Sequence, residues 1–247
     1  AVSYLYYADR VYQINLAIAG IAVGTVSLPV LSKAFKMKNL KKISDIQNKS
    51  FELSLLFSIP ASLGLILASN EIVNALFGYG SFSLNDVEMT ASALKYFGYG
   101  VPAFALIKIL SNFFFARDNT KTPFYISVVV VLLNITISLS FFSKIGFIII
   151  PIATSISTWV GVFIYVYLLN DKKILLLKSH LIVNLIKILI STLFMSFILL
   201  FLLNMFTNYL DYGYNYKAIY LISIVSIAGM FYLLSCYLFG ILKLKNY

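Results

Sequence analysis

Few side chains in this sequence could do chemistry, and those that could are cations set in apolar runs. Arg10 follows Asp9 in "LYYADRVYQ" at 5–13, and Lys108 and Lys187 each sit among aliphatic and aromatic residues. An ionised group near a bilayer centre costs at least ~2.5–3.5 kcal/mol on insertion scales, so it faces a cavity, reaches an interface or meets a partner. For Arg10 the chemistry is anion binding, because a planar guanidinium presents paired donors to two phosphate oxygens. The competing role is an interfacial anchor among Tyr4, Tyr6, Tyr7 and Tyr12, which together look like an aromatic belt. Asp9, Gln13, Gly20, Gly24 and Ser27 fall roughly on one helical face, which means either a lumen or close helix packing. The candidate anion-binding set is therefore Arg10 with Asp9 and Gln13, and Lys108 is a possible second cavity charge. Lys187 is expected to snorkel to the headgroups.

No catalytic constellation accompanies these cations. His180 is the sole histidine and has no Cys, Asp or Glu nearby, while Cys236 is the sole cysteine, so neither a zinc site nor an intrachain disulfide is expected. The carboxylates are scattered and mostly at the ends of apolar runs, where they make no paired acid and base and no metal cluster. No cofactor is called for. A membrane-embedded glycosyl- or phosphotransferase would need carboxylates or histidines gathered near one end of a run.

The elements that position Arg10 are membrane spans. Hydrophobic residues make up 61% of the 247 and charged ones 11%, far from the balance of a soluble domain. Runs long enough to cross a bilayer lie at about 4–32, 51–69, 93–115, 122–142, 145–169, 181–203 and 216–241. They are continuously apolar, so they read as helices and not as alternating barrel strands. The formal charge of +10 does not point to nucleic acid, because the lysines cluster in short loops where anionic lipid headgroups are the expected partners.

Orientation follows from those loops. Lys33, Lys36, Lys38, Lys41, Lys42, Lys49, Arg117, Lys121, Lys172, Lys173, Lys178, Lys243 and Lys245 fall on one side, against Lys95, Lys144 and Lys217 on the other. Cytoplasmic loops retain cations, so the chain enters from outside and ends in the cytoplasm. Residues 36–50 read as a short amphipathic or solvated connecting helix on the cytoplasmic side, and residues 170–180 as a second interfacial segment. "FGYGSFSLND" at 77–86 reads as a tight loop, with Ser83 and Asp86 spaced for a helix start. Pro60 and Pro102 lie within runs and each should free a carbonyl and favour a kink; Gly98, Gly100 and Pro102 form a possible hinge. The chain opens on alanine with no leader-like pattern and reads as a piece of something longer.

Three blocks carry a family resemblance: "YYADRVYQINLAIAGIAVGTVSLPVLSKAF" at 6–35, "IVNALFGYGSF" at 72–82 and "GVPAFALIKILSNFFFARDNTKTP" at 100–123. The chain resembles the MurJ/MviN lipid II flippases of the multidrug/oligosaccharidyl-lipid/polysaccharide exporter superfamily. That resemblance implies an all-α polytopic bundle of about seven transmembrane helices, similar to helices 8–14 of a fourteen-helix flippase. Residues 1–170 would be most of the second transporter lobe and 171–247 two additional carboxy-terminal helices that offer a groove to a lipid tail. It implies transport of lipid II, an undecaprenyl-diphosphate-linked disaccharide-pentapeptide, across the bacterial inner membrane by alternating access. The arginine of the family's ADR motif falls on Arg10, beside Asp9, as a diphosphate ligand. Some members carry an acidic residue where this sequence has Gln13, so no ion-coupling role is carried over to it. Other cavity arginines would belong to an amino-terminal lobe absent from this chain, which alone would not transport. A flippase for another polyprenyl-diphosphate glycan and a cation-coupled drug exporter are the alternatives within the superfamily.

Overall fold

The computed structural model describes residues 2–172 and 174–242, and all regular structure among them is helical. The first pass runs through α1 (Val2–Leu16), a π-helical segment (Ala17–Ala22) and α2 (Val23–Lys36). Then come α3 (Leu40–Leu67), the short α4 (Ser69–Phe77), α5 (Leu84–Gly98) and α6 (Val101–Phe115). The chain continues through α7 (Lys121–Ile145), α8 (Ile149–Asp171), α9 (Ser179–Met205) and α10 (Lys217–Leu238). Helices are forced by the solvent, because in hydrocarbon each backbone N–H and C=O must be matched within the segment.

Seven passes result. Five helical runs are individually long and apolar enough to cross a membrane, and α5 with α6, bent by 40°, makes another. The longest run, Lys121–Asp171, supplies two, because it folds back at Gly146, whose φ of 73° suits glycine. The two arms lie antiparallel, with Asn134 Nδ2 donating to Thr154 Oγ1 at 2.9 Å. The third pass begins earlier than its apolar run: α5 starts at Leu84 on a capping box in which Ser83 and Asp86 satisfy each other's backbone N–H.

The centre of the bundle is α3. Ser50, Ser54, Ser58 and Ser62 recur every fourth residue and are all buried, giving α3 a narrow face on which neighbouring helices pack closely. Its start overturns one expectation: from Leu40 onward the 36–50 stretch is not a separate interfacial helix but the first turns of α3. Ser44, Gln47 and Asn48 there are buried because they bind the segment 174–178, which is extended and not a second interfacial helix. Gln47 Nε2 donates to Ile174 O at 3.1 Å and Gln47 Oε1 accepts from Leu176 N at 3.0 Å. Asn48 Nδ2 donates to Leu176 O at 2.8 Å and its Oδ1 accepts from Lys178 N at 2.9 Å, while Lys178 pairs with Asp45. A polar stripe on one helix thus satisfies an extended backbone as a neighbouring strand would.

The two prolines inside runs behave differently. Pro60 lies deep in α3, and the Leu56 carbonyl it releases accepts from Tyr232 Oη of α10 at 2.6 Å. Pro102 is not in a helix interior: it stands in the first turn of α6, just past the bend. The Gly98 carbonyl, which a proline at 102 cannot serve, accepts from Ser62 Oγ of α3 at 2.8 Å. Of the cations that set orientation, Lys173, Lys243 and Lys245 lie outside the described residues. The topology predicts that in the full-length protein a Leu40→Cys variant is labelled only by reagent supplied from the cytoplasmic side and an Asn208→Cys variant only from outside; labelling of both from one side refutes it.

Candidate functional site

Helix α1 presents two unlike faces. Ala8, Val11 and Tyr12 are buried, and Tyr12 stacks on Phe97 of α5 at 5.1 Å between ring centroids. Tyr4 Oη donates to Asp86 Oδ1 at 2.7 Å, and the Tyr7 ring lies 4.8 Å from Phe77 and 5.5 Å from Phe82. Three of the four tyrosines that looked like an interfacial belt are therefore packing residues. Tyr6 alone stays on the exposed face, and the Arg10 guanidinium carbon sits 4.8 Å from its ring centroid.

Arg10 is exposed on that same face, as is Gln13. Gln13 Nε2 donates to Asp9 Oδ2 across one turn, so the neighbouring carboxylate is engaged by an amide. Among the described residues the ion pair is Lys178–Asp45, which leaves the Arg10 fork held by a ring face and opposed by no carboxylate. Ring-face contact orients the guanidinium without using its N–H donors, which stay available to an anion.

One turn further along α1, Ile14 and Asn15 enter the wall of a groove of about 710 Å³ between α1, α3, α9 and α10. Phe57, Pro60, Met195 and Tyr232 also line it, and almost all of its lining is apolar. The exposed face of α1 thus carries Arg10, with its guanidinium turned back over Tyr6, and one turn on enters an apolar trough.

The other expected site residues are placed apart from this face. Gly20 and Gly24 are buried against α6, where a Cβ on Gly20 would stand 3.2 Å from Ala105 Cα and one on Gly24 would stand 3.5 Å from Asn112 Nδ2. Asn112 Nδ2 donates to Gly24 O at 2.7 Å, and Ser27 is buried beside it. These small residues serve close packing, and they part from Gln13 because the π segment inserts an extra residue and rotates the helix face. Lys108 is exposed, yet its stem crosses that packed face, 3.6 Å from the position of a Gly20 Cβ, and it lines a smaller cleft with Asn134, Thr154 and Thr158. The structure does not bring Lys108 and Arg10 together. Gly98 and Gly100 sit at the α5–α6 bend because a Cβ there would stand 3.0 Å from Ile66 Cγ1 and 2.8 Å from Ser155 Oγ respectively.

Two cations have roles that spacing did not reveal. Lys187 does not snorkel freely; its Nζ donates to Phe239 O at 2.9 Å and so caps the carboxy-terminal end of α10. Lys217, placed by its charge at the outer surface, is only 1% exposed. Its Nζ donates to Asn74 Oδ1 at 3.1 Å, Gly78 O at 2.6 Å and Tyr212 O at 2.7 Å, between the rings of Tyr79 and Tyr212. Three donors meet three acceptors, and the cage ties α10 to the end of α4. The one hint in the sequence is its place beside a tyrosine-rich loop. Nearby on α4, burial raises the Glu71 carboxyl above the usual carboxylate range.

The fold and its apolar spans together define a polytopic α-helical membrane protein. The family model "Lipid II flippase MurJ" matches residues 1–222. A probable lipid II flippase MurJ of Rickettsia prowazekii is 34% identical over the whole chain, and one of Rhizobium meliloti is 39% identical over 65% of it. A solved structure titled "Lipid II flippase MurJ, inward closed conformation" superposes with a TM-score of 0.77 at 29% identity, covering 96% of this chain and 47% of that one. The chain belongs to the lipid II flippase MurJ family. It spans about half the length of the curated relatives that it matches end to end, 48% in the Rickettsia protein.

The cage predicts that Lys217→Met leaves two backbone carbonyls and one amide oxygen without their donor, at a cost of about 1–3 kcal/mol each for groups that cannot rehydrate. The thermal unfolding midpoint of the full-length protein should fall clearly below wild type, and an unchanged midpoint would show the cage to be dispensable.

Proposed function

We propose that this chain forms one wall of a transporter that carries lipid II from the inner to the outer leaflet of the bacterial plasma membrane. The observation that carries this reading is the adjacency of Arg10 to the apolar groove, one helical turn apart on one open face. A diphosphate crossing hydrocarbon bare would face a large desolvation penalty, whereas a polyprenyl tail faces none. A cation beside a lipid-width trough answers both halves of such a molecule.

In this reading Arg10 takes two diphosphate oxygens on its fork, Gln13 holds the Asp9 carboxylate aside, and the tail occupies the α3–α10 groove. The remainder of a full-length family member supplies the opposite wall and further cations. The two walls alternate between inward and outward openings, with the α5–α6 bend as the joint. The cationic cytoplasmic loops rest on anionic lipid, with the amino end of the chain outside and the carboxy end in the cytoplasm. Export of an anion from an inside-negative cell also gains from the membrane potential, ~2.3 kcal/mol per charge per 100 mV for a full crossing.

The test is export of lipid II by full-length protein in vesicles. Charge-assisted hydrogen bonds contribute about 1.5–3 kcal/mol each, so Arg10→Ala should weaken lipid II binding by roughly 10–100-fold and impair export accordingly. Arg10→Lys, which keeps charge but loses the fork, should also be impaired. Wild-type export by both variants refutes the role given to Arg10.

A further inference from the structure

Four carbonyls released from helical hydrogen bonding lie along a line of successively bonded helices, and each has found a side-chain donor. At one end Tyr232 of α10 serves Leu56 O, which Pro60 leaves without its N–H. Two residues beyond Pro60, Ser62 serves Gly98 O, which Pro102 leaves in the same condition. At the bend itself Gly100 N turns to Phe97 O and so abandons Tyr96 O. Tyr96 O then accepts from Ser155 Oγ at 2.7 Å, and Tyr99 O accepts from Trp159 Nε1 at 3.0 Å, both from α8. The order in space is α10, α3, the α5–α6 bend, α8.

The near end of this line opens into the groove. Tyr232 and Pro60 both line it, so a chain seated there touches the donor of the first bond and the proline that frees its acceptor. The far end is tightly seated, because Gly98 leaves no room for a Cβ against Ile66 and Leu65 of α3. A carbonyl in hydrocarbon has no water to fall back on, so a shift of α10 must either carry the Pro60 segment with it or strand Leu56 O. The same choice recurs between Ser62 and Gly98 O.

We propose that the Tyr232–Leu56 and Ser62–Gly98 bonds act in series as a link by which an apolar chain in the α3–α10 groove sets the angle of the α5–α6 bend. The inference rests on the groove being the seat of the lipid tail, and it makes tail occupancy a signal to the joint. Tyr232 and Ser62 are positioning residues that contact no headgroup.

The experiment uses full-length protein in nanodiscs, with nitroxide labels at the exposed positions Glu88→Cys and Phe115→Cys on the two arms of the bend. Undecaprenyl phosphate is the probe for the distance measurement, and a diazirine-bearing polyprenyl phosphate reports groove occupancy by crosslinking. Crosslinking is expected in wild type and variants alike. The probe should shift the 88–115 distance in wild type and in Ser62→Thr, which keeps the hydroxyl, and the shift should be lost in Tyr232→Phe and in Ser62→Ala. Crosslinking without a shift in wild type overturns the link and leaves the transport reading standing, and this arm needs no variant to fold. A shift that survives in either Tyr232→Phe or Ser62→Ala also overturns it, because bonds in series must both be needed. No crosslinking in wild type overturns the groove reading and this inference with it.

Discussion

The constraint on which this structure depends is that a backbone carbonyl freed inside a bilayer must find a donor from the protein itself. Pro60, Pro102 and the break at Gly98–Gly100 release carbonyls in the two passes nearest the middle of the bundle. Tyr232, Ser62, Ser155 and Trp159 answer them from three different helices. In water such contacts would contribute little, since solvent competes for both partners. In hydrocarbon the alternative is an unpaired carbonyl, and the same contacts fix how α10, α3, α5–α6 and α8 sit against one another.

That principle separates the roles of polar residues. Gln47 and Asn48 satisfy the extended segment 174–178, Asn112 binds Gly24 O, and Lys217 fills a cage of three oxygens. All are turned inward and all have partners. Arg10 differs: it is exposed, lies on an open face, and is met only by a tyrosine ring. Its surroundings orient the side chain and leave its N–H donors free.

Much of this was legible in the residues. Continuous apolar runs bounded by lysines gave the passes, because the cost of moving charge into hydrocarbon dominates every other local preference. The Ser83–Asp86 start of α5 was readable for a similar reason, since a capping box is settled within four residues. The Arg10 motif was visible as a charge out of place. The stretch 36–50 reads as a short amphipathic or solvated connecting helix, and the burial of its polar stripe at 44–48 is not legible there, because the partner lies more than 120 positions away in the chain.

Composition and spacing by themselves determined that the chain is a helical membrane protein, where it crosses, and which arginine stands alone. They could not decide which way a side chain turns within a pass, because a single π segment rotates everything after it. Nor could they say which donor answers each proline-freed carbonyl, because in hydrocarbon the answer comes from whichever helix packs alongside. Tertiary structure decided that Tyr4, Tyr7 and Tyr12 pack inward, that Lys217 is buried, and that Arg10 lies on the exposed face of α1 against Tyr6. Those outcomes depend on neighbours remote in sequence, and local chemistry carries no record of them.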